Sequence, residues 1–315
     1  MSVSSHAFEQ FTLAFYNLEN LFDYTRNKRI LDADFTSVGR KEWTRTRYEK
    51  KLERLSRAIS QVGYEETGSL PHIIGVAEVE NKRVLTDLAA QPLLSKAAYE
   101  IVHYDSPDER GIDVALIYNG KTFELLHSEP VPVYLVDENG LRDTTRDILY
   151  VHGRIAGFEV NIYVNHWPSR RDGADSTNNK RIEVANQLLR HTASLDNDAP
   201  TIFMGDFNDD PENESIKSIT DGNYFNATGK LKSAHRGTVN HKFKWSMFDQ
   251  ILLSTDFEND VPEHLYLHKA NIFDDIMLRQ WKGRYRGQPA RTFVGNRYKG
   301  GYSDHFPVYI ILRRN

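Results

Sequence analysis

At 315 residues and 39% hydrophobic composition, the chain can bury a large α/β core, as one unit or as two. Its formal net charge of −4 excludes a surface that is basic throughout but leaves room for a local positive site. With no cysteine, disulfides, thiol nucleophiles and thiolate metal ligands are all excluded.

The N-terminal MSVSSHAFEQFTLAFYNLEN lacks the basic start, apolar stretch and small-residue cleavage site of a secretory signal. No apolar run approaches the ~20 residues of a membrane-spanning helix, so a cytoplasmic protein is expected. FTLAFYN predicts the first strand. In TRTRYEKKLERLSRAISQV, Tyr48, Leu52, Leu55, Ile59 and Val62 recur at intervals of four and three with charges opposite, which predicts an amphipathic helix. HIIGVAEV is the next strand, and RVLTDLAAQPLL a helix that Pro92 ends or kinks. YEIVHY, GIDVALIYN, DILYVHGRIAG and FEVNIYVNHW follow as strands, the last two joined directly around Gly153 and Gly157 and therefore antiparallel. NNKRIEVANQLLRHTASL reads as a third helix, and TIFMGDF, FDQILLS and HFPVYIIL as the remaining strands. There is no linker, low-complexity run or fixed-period repeat. One α/β domain over 1–315 is expected, its two mixed β-sheets packed face to face with helices on both outer faces, a four-layer sandwich.

Polar residues interrupt these strands in a consistent place. Asn17, Glu78, His166, Asp206 and Asn208 follow strand ends, whereas Asp249 and the pair Asp304 and His305 precede strand starts. In a mixed sheet the start of an antiparallel strand lies on the rim where its neighbour ends, so both groups can converge. Such a cluster offers oxygen donors and two imidazoles without thiolates, which suits Mg²⁺ or Mn²⁺ better than zinc. An imidazole paired with a carboxylate is a general-base arrangement. A divalent cation with an activated water points to phosphoester hydrolysis. Taken singly, an aspartate or asparagine at such a position more often caps a turn.

FYNLENLF, GVAEVEN, GIDVALIYN, VNHWPSR, MGDFND, FDQILLS and SDHFPVY, in that order, closely resemble the motifs of the endonuclease/exonuclease/phosphatase superfamily. The resemblance implies a two-sheet sandwich and a metal-dependent phosphoester hydrolase. It implies Glu78 as the principal carboxylate ligand of Mg²⁺, with Asn17 beside it and Asp304 near the metal. It further implies His305 as the base that prepares the attacking water, oriented by Asp249. Asp206 would align the nucleophile, Asn208 would hydrogen-bond a phosphate oxygen, and His166 would contact phosphate or assist the leaving oxygen. The rest of FYNLENLFD would stabilise its loop, with Glu19 as a candidate second carboxylate near the metal.

The segment 281–301 carries Lys282, Arg284, Arg286, Arg291, Arg297 and Lys299, interleaved with aromatics and free of acidic residues, as anionic-substrate capture requires. Arg110 and Arg170 are candidate phosphate contacts with Arg291, and Arg171, Lys180 and Arg181 are read as additions to the same rim. KWSMFDQILLS lacks the cysteine and arginine usual in inositol 5-phosphatases, and VAEVEN and FDQ depart from the abasic-site endonucleases. A phosphodiester of DNA, RNA or nucleotide type is therefore the expected substrate. A phosphatase or sphingomyelinase-like phosphodiesterase is the alternative, and a non-catalytic anion-binding module the reading from another class. No protein partner is inferable.

Overall fold

The computed structural model describes residues 9–137, 139–170, 173–260 and 264–314. Twelve strands form two six-stranded sheets. In chain order they are β1 Glu9–Leu21, β2 Ile73–Val79, β3 Tyr99–His103, β4 Asp113–Asn119, β5 Phe123–Val131, β6 Ile148–Ile155, β7 Phe158–His166, β8 Thr201–Asp206, β9 Tyr224–Asn226, β10 Asp249–Ser254, β11 Leu265–Ile272 and β12 Val308–Arg314. The main helices are α1 Arg45–Gln61, α2 Lys82–Ala89, α3 Ala174–Ala193 and α4 Glu214–Thr220.

The sheets share one pairing pattern. The first runs β11-β12-β1-β2-β4-β3 and the second β9-β10-β8-β7-β6-β5. In each, the two central strands are parallel, β1 with β2 and β8 with β7, and every other pair is antiparallel. A parallel pair needs a crossover, usually helical. Here α1 lies between β1 and β2 in sequence, and α3 between β7 and β8.

Alternation along the strands sorts side chains into layers. Ile162 and Val164 of β7, Ile202 and Met204 of β8, and Ile251 and Leu253 of β10 join the main core with β1 and β2. Their neighbours Tyr163, Phe203 and Leu252 pack with Val184 and Leu188 of α3 and Ile216 of α4. The apolar face predicted for α1 is buried at Tyr48, Leu52, Leu55 and Ile59, and Thr44 caps its start by accepting from the Arg47 N–H. The hairpin between β6 and β7 turns on Ala156 and Gly157, both with positive φ, as a two-residue type I′ turn requires. Helix α2 ends at Ala89, three residues before Pro92. No helix among the described residues is long and apolar enough to cross a membrane.

Strands β5, β9 and β11 have no counterpart among the strands predicted from sequence, and all three lie at sheet edges. Edge strands carry polar residues and tolerate proline, as FELLHSEPV with Pro130 does in β5. Glycine inside β8 marks a close approach: a Cβ on Gly205 would lie 2.4 Å from the Asn165 carbonyl oxygen on β7. Gly205→Ala is therefore expected to lower the unfolding free energy by about 1–3 kcal/mol through overpacking. Urea denaturation checks this, and an unchanged midpoint would contradict the packing described.

Candidate active site

Both parallel pairs end on one rim. Where β1 and β2 finish, the register shifts between Asn17 and Leu21 on one strand and between Ala77 and Val79 on the other. Glu78 sits in this break with φ 61°, opposite Glu19 and Asn20 at 51° and 52°. Left-handed backbone is uncommon for such residues, and a bulge of this kind re-aims a side chain out of the strand's alternation. Glu78 Oε2 accepts from the Asn20 N–H at 2.8 Å, and Asn17 Nδ2 approaches Oε1 at 3.3 Å.

The second sheet contributes Asp206, which stands in register with His166 on one side and Asp249 on the other. Its Oδ1 accepts from the Asn208 N–H and its Oδ2 from Asn17 Nδ2, both at 3.0 Å. His305 stands between the two aspartates. Its Nδ1 is 2.8 Å from Asp249 Oδ2, while Nε2 lies 3.9 Å from Asp206 Oδ2 and 3.8 Å from Asp304 Oδ1. His166 Nε2 lies 3.7 Å from Asp206 Oδ2 and 4.0 Å from Glu78 Oε1. Asn208, at φ 51°, donates from Nδ2 to the Trp167 carbonyl at 3.0 Å. The eight residues singled out at strand ends and starts thus meet in one cluster.

Their electrostatics diverge. Burial disfavours a charged His305, but Asp249, Asp206 and Asp304 outweigh it and hold the imidazole well above its ordinary pKa. Burial pushes His166 the other way, with Arg146 and Arg110 adding to the effect, so that ring stays neutral. Burial pushes Asp206 up to about 7, against the pull of His305.

Residues outside this group hold it in place. Ser303 Oγ donates to the Asn17 carbonyl at 2.6 Å and accepts from the His305 N–H at 3.1 Å, a local serine turn that SDH itself signals. Thr238 Oγ1 accepts from the N–H groups of Phe248 and Asp249. Buried Arg146 donates to the carbonyls of His166 and Trp167, and no sequence pattern announced it. Lys51 lies on the buried face of α1 and donates to Thr292 Oγ1 at 2.5 Å and the Tyr302 carbonyl at 2.6 Å. Its place three residues after Tyr48, on the apolar stripe, was readable. Glu19 accepts from the N–H groups of Thr292 and Phe293, so it clamps the loop that leads to Asp304. In GVAEVEN, Asn81 caps α2 by accepting from the Val84 N–H.

The arginines separate. Arg291 reaches the cluster and donates to Asp304 Oδ2 at 2.8 Å. Arg170 instead braces the loop after β8, donating to the Asn208 carbonyl at 2.7 Å and to Asp209 Oδ1 at 2.6 Å. Arg110 lies 3.6 Å from Asp108 and lines a cavity of about 190 Å³ with Arg146, Thr145 and Ser169. Arg181, read as part of an exposed rim, is buried against Asp209, because a carboxylate at the base of the loop needs a counter-charge. Lys180 pairs with Asp143 at 2.7 Å. Arg171 lies outside the described residues.

The donor set fits a hard divalent cation. Glu78 and Asp206 both approach His166 Nε2, Asp206, Asp249 and Asp304 all approach the His305 ring, Asp249 Oδ1 is buried without a hydrogen-bond partner, and ligand atoms of Asp206, Asp249 and His305 lie within 4.8 Å of one another. Carboxylate oxygens without thiolates suit Mg²⁺ or Mn²⁺. Asn17, expected near the metal, is anchored on both sides of its amide. Its Oδ1 accepts from the Glu19 N–H at 2.9 Å, so its NH₂ faces the carboxylates and orients Glu78.

A model of the Endonuclease/Exonuclease/phosphatase family matches residues 12–314. No curated protein matches the chain. Among solved structures, a Bacteroides thetaiotaomicron endonuclease/exonuclease/phosphatase family protein is 19% identical, with a TM-score of 0.63 over 99% of this chain and 97% of that one. The mannosyl-6-phosphatase Bt3783 of the same organism is 19% identical, with a TM-score of 0.58 over 96% and 99%. D. rerio TDP2 complexed with single-strand DNA product is 13% identical, with a TM-score of 0.58 over 96% and 98%. At these identities the likeness is one of fold.

A cation that relieves crowded carboxylates must stabilise the folded chain. Millimolar Mg²⁺ or Mn²⁺ is expected to raise Tm of the wild type, and Glu78→Gln to abolish most of the rise. Equal shifts in both proteins, read by calorimetry, would place the cation elsewhere.

Proposed function

The chain belongs to the Endonuclease/Exonuclease/phosphatase family, and we propose that it is a divalent-metal-dependent phosphoester hydrolase acting on phosphodiesters of nucleic-acid or nucleotide type. The observation that carries the reading is the bond between His305 Nδ1 and Asp249 Oδ2 at 2.8 Å, which leaves Nε2 turned toward Asp206.

Glu78 and Asp304 would hold Mg²⁺ or Mn²⁺, with Asn17 fixing Glu78 through its amide. The bound cation supplies Lewis-acid neutralisation of the phosphate's negative charge. The chain's own groups handle the proton. Asp249 takes the Nδ1–H and fixes the tautomer, so the lone pair on Nε2 accepts a proton from water. That water's oxygen forms the new bond to phosphorus as the bond to the leaving oxygen breaks. Asp206, beside His305 Nε2, orients the water. His166, neutral and with Nε2 turned toward Asp206 and Glu78, offers a hydrogen bond from that nitrogen to a phosphate or leaving oxygen. Asn208 keeps its second amide hydrogen for the same anion. Arg291, through Asp304, brings positive charge to the edge of the cluster.

Two of the structural neighbours are named for different substrates, a mannosyl 6-phosphate and DNA, so hydrolysis of a phosphomonoester stays the second reading. Arg170 has no place in the proposal as a phosphate contact, since its guanidinium is spent on the loop after β8.

The test is hydrolysis of bis(p-nitrophenyl) phosphate with Mg²⁺ or Mn²⁺. Glu78→Ala and His305→Ala are each expected to reduce kcat by about 10² to 10⁴. Wild-type rates in both would end the assignment. Parallel assays on plasmid DNA, single strands, RNA, inositol phosphates and a sugar 6-phosphate separate the two readings.

A pH profile tests the dyad separately. The base must be neutral, so activity rises with pH through the His305 pKa. Asp249 raises that pKa. In Asp249→Asn the acid limb of kcat/KM is therefore expected to move to lower pH while the plateau falls. A limb at unchanged pH would show that Asp249 does not act through His305.

A further inference from the structure

A second positive feature lies outside the catalytic cluster, between α1 and the segment that follows Leu278. Lys50, Arg54 and Arg57 sit on successive turns of α1 and face the same way, while the opposite face of that helix is core. Together with Trp281, Lys299 and Tyr302 they line a cavity of about 430 Å³. Six lysines and arginines line it against a single acid, Glu53. Three of the cations are engaged: Lys50 with Glu53 at 2.7 Å, Arg279 with Asp274 at 3.0 Å and Arg291 with Asp304 at 2.8 Å. Arg54, Arg57 and Lys299 have no carboxylate within ion-pair distance among the described residues. A chain whose formal net charge is −4 thus concentrates uncompensated positive charge in one groove.

Two rings share that groove. Trp281 is 75% exposed, so its ring is open to a stacking partner. Tyr302 lies with its ring 5.9 Å from the Arg54 guanidinium carbon. Arg291 lines the groove at one end and holds Asp304 at the other, so the groove begins where the candidate active site stops.

We propose that this groove binds single-stranded nucleic acid, its phosphates on Arg54, Arg57 and Lys299 and an unpaired base on Trp281, and leads the strand to the catalytic cluster. The inference rests on the hydrolase reading above and names the substrate class for the same site. Cations interleaved with an open aromatic ring are the features that hold unpaired strands, where phosphate contacts supply affinity and every base offers a face for stacking. A duplex keeps its bases stacked internally and leaves Trp281 without a partner. An anionic membrane presents a broad surface that does not follow a concave groove to Tyr302.

Binding of a fluorescein-labelled 12-nucleotide oligodeoxythymidine tests this, measured by anisotropy with Mg²⁺ present in a His305→Ala background so that the probe survives. Arg54→Glu/Arg57→Glu is expected to weaken binding at least tenfold and to flatten the slope of log K against log salt by about 1.4 or more, at roughly 0.7 for each phosphate no longer neutralised. Trp281→Ala is expected to weaken binding about tenfold and leave the slope unchanged. In the background that retains His305, both variants are expected to hydrolyse bis(p-nitrophenyl) phosphate within twofold of wild type. Circular dichroism identifies any variant that misfolds, and Arg57→Gln with Lys299→Gln then serves as the milder pair.

Wild-type affinity for the oligonucleotide in the variants overturns the groove. So does a duplex bound as tightly as the single strand, or a preference for phosphatidylserine vesicles that the same variants abolish. A wild type that binds through the groove but never hydrolyses bis(p-nitrophenyl) phosphate instead removes the catalytic reading and leaves the groove standing.

Discussion

Asp206 and Asp249 face each other across an antiparallel pair, buried, at the end of the ladder. Like charges placed opposite in a sheet repel, and removal from water raises the cost further. The rest of the site follows from this constraint. His305 stands between the pair and donates its Nδ1–H to Asp249, Asn17 donates to Asp206, and burial still pushes Asp206 up to about 7. A centre built this way crowds carboxylates together, and the divalent ion proposed beside Glu78 would answer that excess of negative charge.

The fold delivers these groups by using one arrangement twice. Each sheet places a parallel pair at its centre, and the C-terminal ends of both pairs carry the candidate site side chains: Asn17 and Glu78 from one sheet, His166 and Asp206 from the other. Each pair is flanked by an antiparallel strand whose start lies on the same rim, preceded by His305 in the first sheet and opened by Asp249 in the second. The dyad therefore bridges the two sheets. Strands fix the positions of its members, and Arg291, on the loop before β12, brings positive charge to Asp304.

Much of this was legible in the sequence, for reasons that differ by residue. Central strands such as TIFMGDF and HIIGVAEV are buried on both faces and read as apolar runs, so their ends and the polar residues there were visible. Edge strands β5, β9 and β11 were not, because exposure on one side erases the apolar pattern. Arg181 and Arg170 misled, since sequence shows their charge but not the buried Asp209 that absorbs it. The face of α1 that bears Lys50, Arg54 and Arg57 looked like the solvated side of an amphipathic helix. Only the return of the chain at Trp281 and Lys299 turns it into a groove.

If the cation and the His305 dyad share one centre, each must feel the other's charge, and nitrogen NMR of the His305 ring, titrated with and without saturating Mg²⁺, reads that coupling at the atom concerned. The expected outcome is a neutral ring protonated at Nδ1, with a pKa that falls when Mg²⁺ binds because a nearby cation disfavours imidazolium. A pKa indifferent to Mg²⁺, or a neutral ring protonated at Nε2, would refute the shared centre.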